Sequence, residues 1–129
     1  MPHITVEYDK ALDRSFDRRR FALELHALAA RTVEGITVES CKTRFRHAEE
    51  VVIANGEPGQ ALIHLDFAIL PGRTAEAKSA LSSAVLELVR RHTASVPGTA
   101  VHASVDIWDL SSAYAKHVEP PSAEPRLQA

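Results

Sequence analysis

The chain has 129 residues, 45% hydrophobic and 25% charged, with a formal net charge of -2 when histidine is neutral. That length suits one domain with a core of its own, and the charge balance argues against a polyanion-binding protein. A single cysteine, Cys41, excludes an intramolecular disulfide and fits a reducing compartment; with no signal peptide and no membrane-length apolar run, a cytoplasmic protein is expected.

The chain opens Met-Pro-His-Ile-Thr-Val-Glu-Tyr. From Pro2 to Tyr8 the pattern alternates, with Ile4, Val6 and Tyr8 on one face and His3, Thr5 and Glu7 on the other, as in a strand with one apolar side. From Asp17 to Arg31 the period lengthens. Phe21, Leu25 and Leu28 fall at i, i+4 and i+7, the stripe of an amphipathic helix. Arg18, Arg19 and Arg20 read as its solvated face, and Gly35 marks the exit. A second strand is expected over Glu39–His47, with Cys41, Thr43 and Phe45 on one side and Lys42, Arg44 and Arg46 on the other. Cys41 on the apolar side reads as a packing residue. Asn55 to Gly59 is dense in turn formers.

The pattern then repeats. Ala61–Leu70 reads as a strand with Ile63, Leu65, Phe67 and Ile69 on one face and His64 and Asp66 on the other. Thr74 is the expected N-cap of a helix running to about Ser95, with Ala77, Leu81, Ala84, Val85 and Leu88 inward and Arg90, Arg91 and His92 at the end that favours cations. A last strand is expected over Val101–Leu110. The chain is thus strand-helix-strand, twice, with each helix a crossover between parallel strands and both helices on one sheet face. The other face is polar. Parallel sheets are usually covered on both sides, so further copies of the chain are the expected cover. Residues 118–129, rich in proline, read as a loosely held tail after a single domain over 1–117.

Seven histidines raise the question of a metal, but the tight spacing of a ligand cluster is missing and none is expected. No nucleophile elbow and no glycine-rich phosphate loop occur, and nucleic-acid binding lacks both net positive charge and exposed aromatics. The remaining chemical candidate is the chain-terminal amine. Loss of Met1 would leave Pro2 as a secondary amine. Its reference pKa, about 8, is the lowest of the ordinary amines, and nearby cations and desolvation lower it further. Such a group serves as both base and acid near neutrality. Proline is equally well tolerated at a strand start for lack of a ladder donor, and position alone leaves both readings open.

The ordered set of Pro2-His3-Ile4-Thr5-Val6-Glu7-Tyr8, a basic second strand, Leu70-Pro71-Gly72-Arg73-Thr74 and Tyr114-Ala115-Lys116 resembles the tautomerase superfamily. Within it, the chain looks most like the 5-carboxymethyl-2-hydroxymuconate isomerase family over roughly residues 2–117. The resemblance implies an α+β fold in which two β-α-β units form a four-stranded mixed sheet with two helices on one face. It implies a homotrimer, with polar sheet faces lining the centre, and no cofactor. It also implies a double-bond shift in homoprotocatechuate breakdown, with Pro2 relaying the proton. By motif, Arg73 matches a substrate-binding arginine of the family. The family's other arginine falls where this chain has Lys42, with Arg44 two residues on. Lysine offers a point charge and no bidentate fork, a departure that bears on the substrate rather than the chemistry. Two other readings remain at this point: a tautomerase acting on another unsaturated 2-keto or 2-hydroxy acid, and a non-catalytic trimeric binding protein of the same fold.

Overall fold

A computed structural model of the chain describes residues 1–94 and 96–123. In chain order the elements are β1 (His3–Asp9), α1 (Arg18–Thr32), β2 (Lys42–Ala48), β3 (Gln60–Ile69), α2 (Ala75–Thr93) and β4 (Ala100–Asp109). Strand order across the single sheet is β2-β1-β3-β4. β1 runs parallel to β2, and β3 parallel to β4; β1 and β3 are antiparallel. Each strand-helix-strand unit is therefore a parallel pair, and the two units join through the central antiparallel pair. The result is a four-stranded mixed sheet with two helices.

Alternation along the strands decides what is buried. Ile4, Val6 and Tyr8 of β1 and Ala61, Ile63, Leu65, Phe67 and Ile69 of β3 face the helices. Opposite them lie Phe21, Leu25, Leu28 and Ala29 of α1 and Leu81, Val85, Leu88 and Val89 of α2. Each large side chain fully buried here contributes about 1.5–3 kcal/mol of transfer free energy. Both helices start at a side-chain cap, Thr74 where the sequence places it and Asp17 where the structure shows it. Asp17 Oδ1 accepts the Arg20 N–H at 3.1 Å, and Thr74 Oγ1 accepts the Ala77 N–H at 3.1 Å. The helices are also tied to each other: His92 Nε2 lies 2.9 Å from Glu24 Oε1, and its ring meets Phe21 edge-on at 5.2 Å.

The expected second strand is corrected at its start. Val38–Ser40 form a single 3-10 turn, and β2 begins only at Lys42. The Thr37 carbonyl accepts the Ser40 N–H, the Ser40 hydroxyl and the Cys41 thiol, at 3.2, 2.8 and 3.4 Å. A serine bonding back to its own local backbone competes with the ladder, and here it wins. β3 and β4 each begin and end one residue earlier than the alternation implies. α2 ends at Thr93; Ser95, to which the helical pattern extends, lies outside the described residues. Of the expected tail, residues 118–123 are exposed and in neither helix nor strand, while 124–129 lie outside the described residues.

Candidate functional site

β1 is central, so both neighbours converge on its first residue. Parallel pairing brings the start of β2 alongside, and His3 stands opposite Lys42. Antiparallel pairing brings the end of β3, and His3 stands opposite Ala68 on that side. Pro2 is buried at this junction, and its carbonyl accepts the Lys42 N–H at 3.2 Å. Beyond β3 the chain turns through Pro71 and Gly72, and Arg73 directly precedes Thr74, the N-cap of α2. Of the residues expected to bind substrate, Lys42 is hydrogen-bonded to Pro2 through the backbone, while Arg73 lies against the Leu70 and Glu34 carbonyls.

A cavity of about 360 Å³ opens here, lined by Met1, Gly35, Thr37, Ser40, Leu70, Tyr114 and Lys116. Met1 forms part of its wall. Met1 is 7% exposed, and its Sδ accepts the Leu70 N–H at 3.4 Å. The Met1 amine is lowered from 8.0 to about 6, first by desolvation, then by a hydrogen bond with Lys42 and by the charges of Lys42 and Lys116. A terminal amine in this place is neutral at pH 7 and so holds a lone pair ready to take a proton. The Pro2 nitrogen itself is tied into the Met1–Pro2 amide and is not basic while Met1 is present.

The cations of the site are held by backbone rather than by carboxylates. Lys42 Nζ donates to the Ser40 carbonyl at 2.9 Å. Arg73 donates from Nη1 to the Leu70 carbonyl at 3.2 Å and from Nη2 to the Glu34 carbonyl at 3.3 Å. Among the described residues neither has an acidic partner. Gly35 makes room for this arrangement: its φ is +93°, and a Cβ there would stand 3.0 Å from Arg73 Nη2. Arg44 is placed differently. It lies on the polar sheet face two pairs further along, opposite Thr5, with Nη2 3.4 Å from His3 Nδ1. His3 Nε2 is in turn 2.9 Å from the hydroxyl of Tyr114, a residue that lines the cavity. Desolvation and the charges of the amine, Arg44 and Lys42 hold His3 below its ordinary pKa.

Residue patterning alone did not single out Lys116, Tyr114, Met1 Sδ or the Leu70 N–H as parts of one site. The signal for the first two was present in the Tyr-Ala-Lys element after β4, but nothing local says that it folds back onto residue 1. Cys41 is buried, its thiol pushed up chiefly by desolvation, which suits packing rather than nucleophilic attack.

Two other arrangements stand apart from this cavity. A groove of about 580 Å³ between α1 and β2 is lined by Phe16, Ala22, Leu23, His26, Thr43 and Phe45, together with Asp17, Arg18 and Arg19. Arg18 there is paired with Asp13 at 3.1 Å and lies 5.4 Å from the centre of the Tyr8 ring. On the polar sheet face, His64 Nδ1 is 2.6 Å from Ser104 Oγ and its Nε2 is 3.1 Å from Asp66. Ser104 lies mid-strand on an open face, not on the sharp turn that exposes a hydrolase nucleophile. Among the described residues no group of three His, Cys, Asp or Glu is placed to hold a metal ion, and no helix is long and apolar enough to cross a membrane.

Comparison with known proteins agrees with the geometry. The profile of the 5-carboxymethyl-2-hydroxymuconate isomerase family matches residues 2–119. A crystal structure of a 5-carboxymethyl-2-hydroxymuconate isomerase from Deinococcus radiodurans R1 superposes with a TM-score of 0.78 at 24% identity, covering 92% of this chain and 90% of that one. A 5-carboxymethyl-2-hydroxymuconate delta-isomerase gives 0.78 at 18% identity, with 92% and 89% covered. A fused 4-OT wild-type symmetric trimer gives 0.65 at 20% identity, with 94% and 95% covered. No curated protein sequence matches the chain significantly. Family and fold together support a tautomerase-type isomerase. With its sheet order, its buried chain start and a profile match over nearly its whole length, the chain belongs to the 5-carboxymethyl-2-hydroxymuconate isomerase family of the tautomerase superfamily.

Proposed function

We propose that the protein isomerises 5-carboxymethyl-2-hydroxymuconate, or a near relative, without a cofactor, in the breakdown of homoprotocatechuate. The base is Pro2, made a secondary amine by removal of Met1. The observation that carries this reading is the environment of the chain start, where the Met1 amine beside Lys42 and Lys116 is lowered to about 6. Loss of Met1 puts the Pro2 nitrogen at this end of β1, empties the volume that the Met1 side chain fills, and frees the Leu70 N–H. The neutral amine takes the proton of the 2-hydroxyl. Electrons shift along the diene, and the protonated amine returns the proton to carbon 5, giving the 2-oxo-3-ene isomer. The ring holds the lone pair in a fixed direction throughout.

The substrate carries three carboxylates, and Arg73, Lys42 and Arg44 are their proposed partners. The backbone carbonyls of Leu70 and Glu34 hold the Arg73 fork in place, and its other N–H groups stay available. The working unit is a homotrimer in which the polar sheet face, with Arg46, His64, Asp66 and Ser104, meets the same face region of its neighbours. Support comes from the symmetric-trimer relative and from the rule that sheets with parallel pairs are covered on both sides.

Intact-mass measurement and a direct isomerisation assay test the mechanism together. Native protein should lack the mass of Met1, and Pro2→Gly should lose activity by orders of magnitude. Retained Met1 on an active enzyme, or undiminished turnover by the glycine variant, overturns it. Lys42 in place of the family arginine favours a second reading, in which another unsaturated 2-keto or 2-hydroxy acid is the better substrate. A panel of enol carboxylates ranked by kcat/KM separates the two.

A further inference from the structure

We infer that Tyr114 donates a hydrogen bond to an anionic oxygen of the substrate, and that His3, set by Arg44, is the positioning residue that turns the phenol proton into the cavity. The inference rests on the isomerase reading for its substrate class, but its geometry stands independently.

Arg44, His3 and Tyr114 form one row of hydrogen-bonding groups. A guanidinium has only N–H groups and accepts nothing. Arg44 Nη2, 3.4 Å from His3 Nδ1, therefore makes Nδ1 the acceptor. A neutral imidazole with a bare Nδ1 carries its proton on Nε2. Nε2 lies 2.9 Å from the Tyr114 hydroxyl, so the imidazole donates and the phenol oxygen accepts. The phenol's own proton then cannot point at His3. Among the described residues Tyr114 has no other side-chain hydrogen bond, and it lines the cavity with Met1, Leu70 and Lys116. Its proton is thus free for an oxygen in that cavity. A doubly protonated His3 would leave the same donor pattern at Nε2 but would press a second cation against Arg44. Desolvation, the terminal amine, Arg44 and Lys42 all oppose that state.

The shared ligand chemistry is a negatively charged oxygen, whether the enolate oxygen that forms during the proton shift or a standing carboxylate. The two differ kinetically. A bond to the enolate is made in the transition state and appears in kcat; a bond to a carboxylate is uniform binding and appears in KM.

The first measurement is a long-range proton–nitrogen NMR spectrum of the His3 ring in the free protein at pH 7. Protonated Nε2 with bare Nδ1 is expected; an Nδ1–H tautomer overturns the inference, whatever the enzyme's activity proves to be. The second is a variant series with melting curves to establish folding. Tyr114→Phe is expected to lower kcat/KM about 10- to 100-fold, the range for one hydrogen bond to a charged group. A fall in kcat assigns the enolate, and a rise in KM assigns a carboxylate. His3→Ala should lose a similar factor, His3→Gln should recover most of it by keeping an N–H near Nε2, and the double variant His3→Ala with Tyr114→Phe should be no worse than either alone. Should no enol acid turn over, muconate binding by calorimetry replaces the assay, with weaker binding by Tyr114→Phe expected. A folded Tyr114→Phe protein with both turnover and muconate affinity unchanged overturns the proposal.

Discussion

Gly35 and the chain-terminal amine show how single residues set this site. The amine is lowered from 8.0 to about 6 because burial and two lysines disfavour its charged form. If the processed Pro2 amine keeps that environment, kcat/KM should rise with pH along a limb near 6 and level off above it, since only the neutral amine accepts the proton. A Lys42→Met variant, without that cation, should move the limb toward higher pH, which a pH–rate profile will show. Arg73→Ala should raise KM about 10- to 100-fold with a smaller change in kcat, as expected for loss of a bond to a standing carboxylate. Gly35→Ala should act in the same direction more weakly. Its φ of +93° is strained for alanine, at a cost of about 1–3 kcal/mol, and the new Cβ would push Arg73 Nη2 off the Glu34 carbonyl. Thermal melts and KM on the same preparation separate the two effects.

Both helices begin at a side-chain cap, yet the caps differ in what they support. Asp17→Ala and Thr74→Ala should each cost about 1 kcal/mol of stability. Only Thr74 directly follows Arg73, so only Thr74→Ala should also raise KM; equal KM for both variants would show that the cap does not hold the arginine. The start of β2 carries a lesson about legibility. The alternation of Cys41, Thr43 and Phe45 with Lys42, Arg44 and Arg46 was readable, because side-chain direction follows from each residue's own backbone. The start of the strand was not. Thr37 and Ser40 close a turn through bonds that the alternation does not register, and Lys42 emerges as the first paired residue rather than one in mid-strand.

The polar sheet face bears on the molecule as a whole. Trp108, the only tryptophan, is 53% exposed on that face, with its indole N–H on Asp66 Oδ1 at 2.9 Å. In a homotrimer it would be covered by a neighbour. Light scattering should then give about three times the 14.1 kDa chain mass, and dilution into the dissociating range should shift the Trp108 emission to the red. A monomer with unchanged emission at all concentrations would leave the sheet face a solvated surface. The sequence by itself determined the element types, the apolar faces and the Thr74 cap, all of which depend on spacings of a few residues. It also supplied the motifs around Pro2 and Arg73 that carry the family resemblance. Only the tertiary structure decided that β1 lies between a parallel and an antiparallel partner. That pairing joins the starts of β1 and β2 to the end of β3, and so brings Met1, Pro2, Lys42 and Leu70 together. It also decided that Tyr114 returns to His3 across 111 residues. The physical reason is that periodicity is written by local backbone geometry, whereas strand order is chosen by which apolar faces bury together and which ladders close, and no short stretch of sequence encodes that choice.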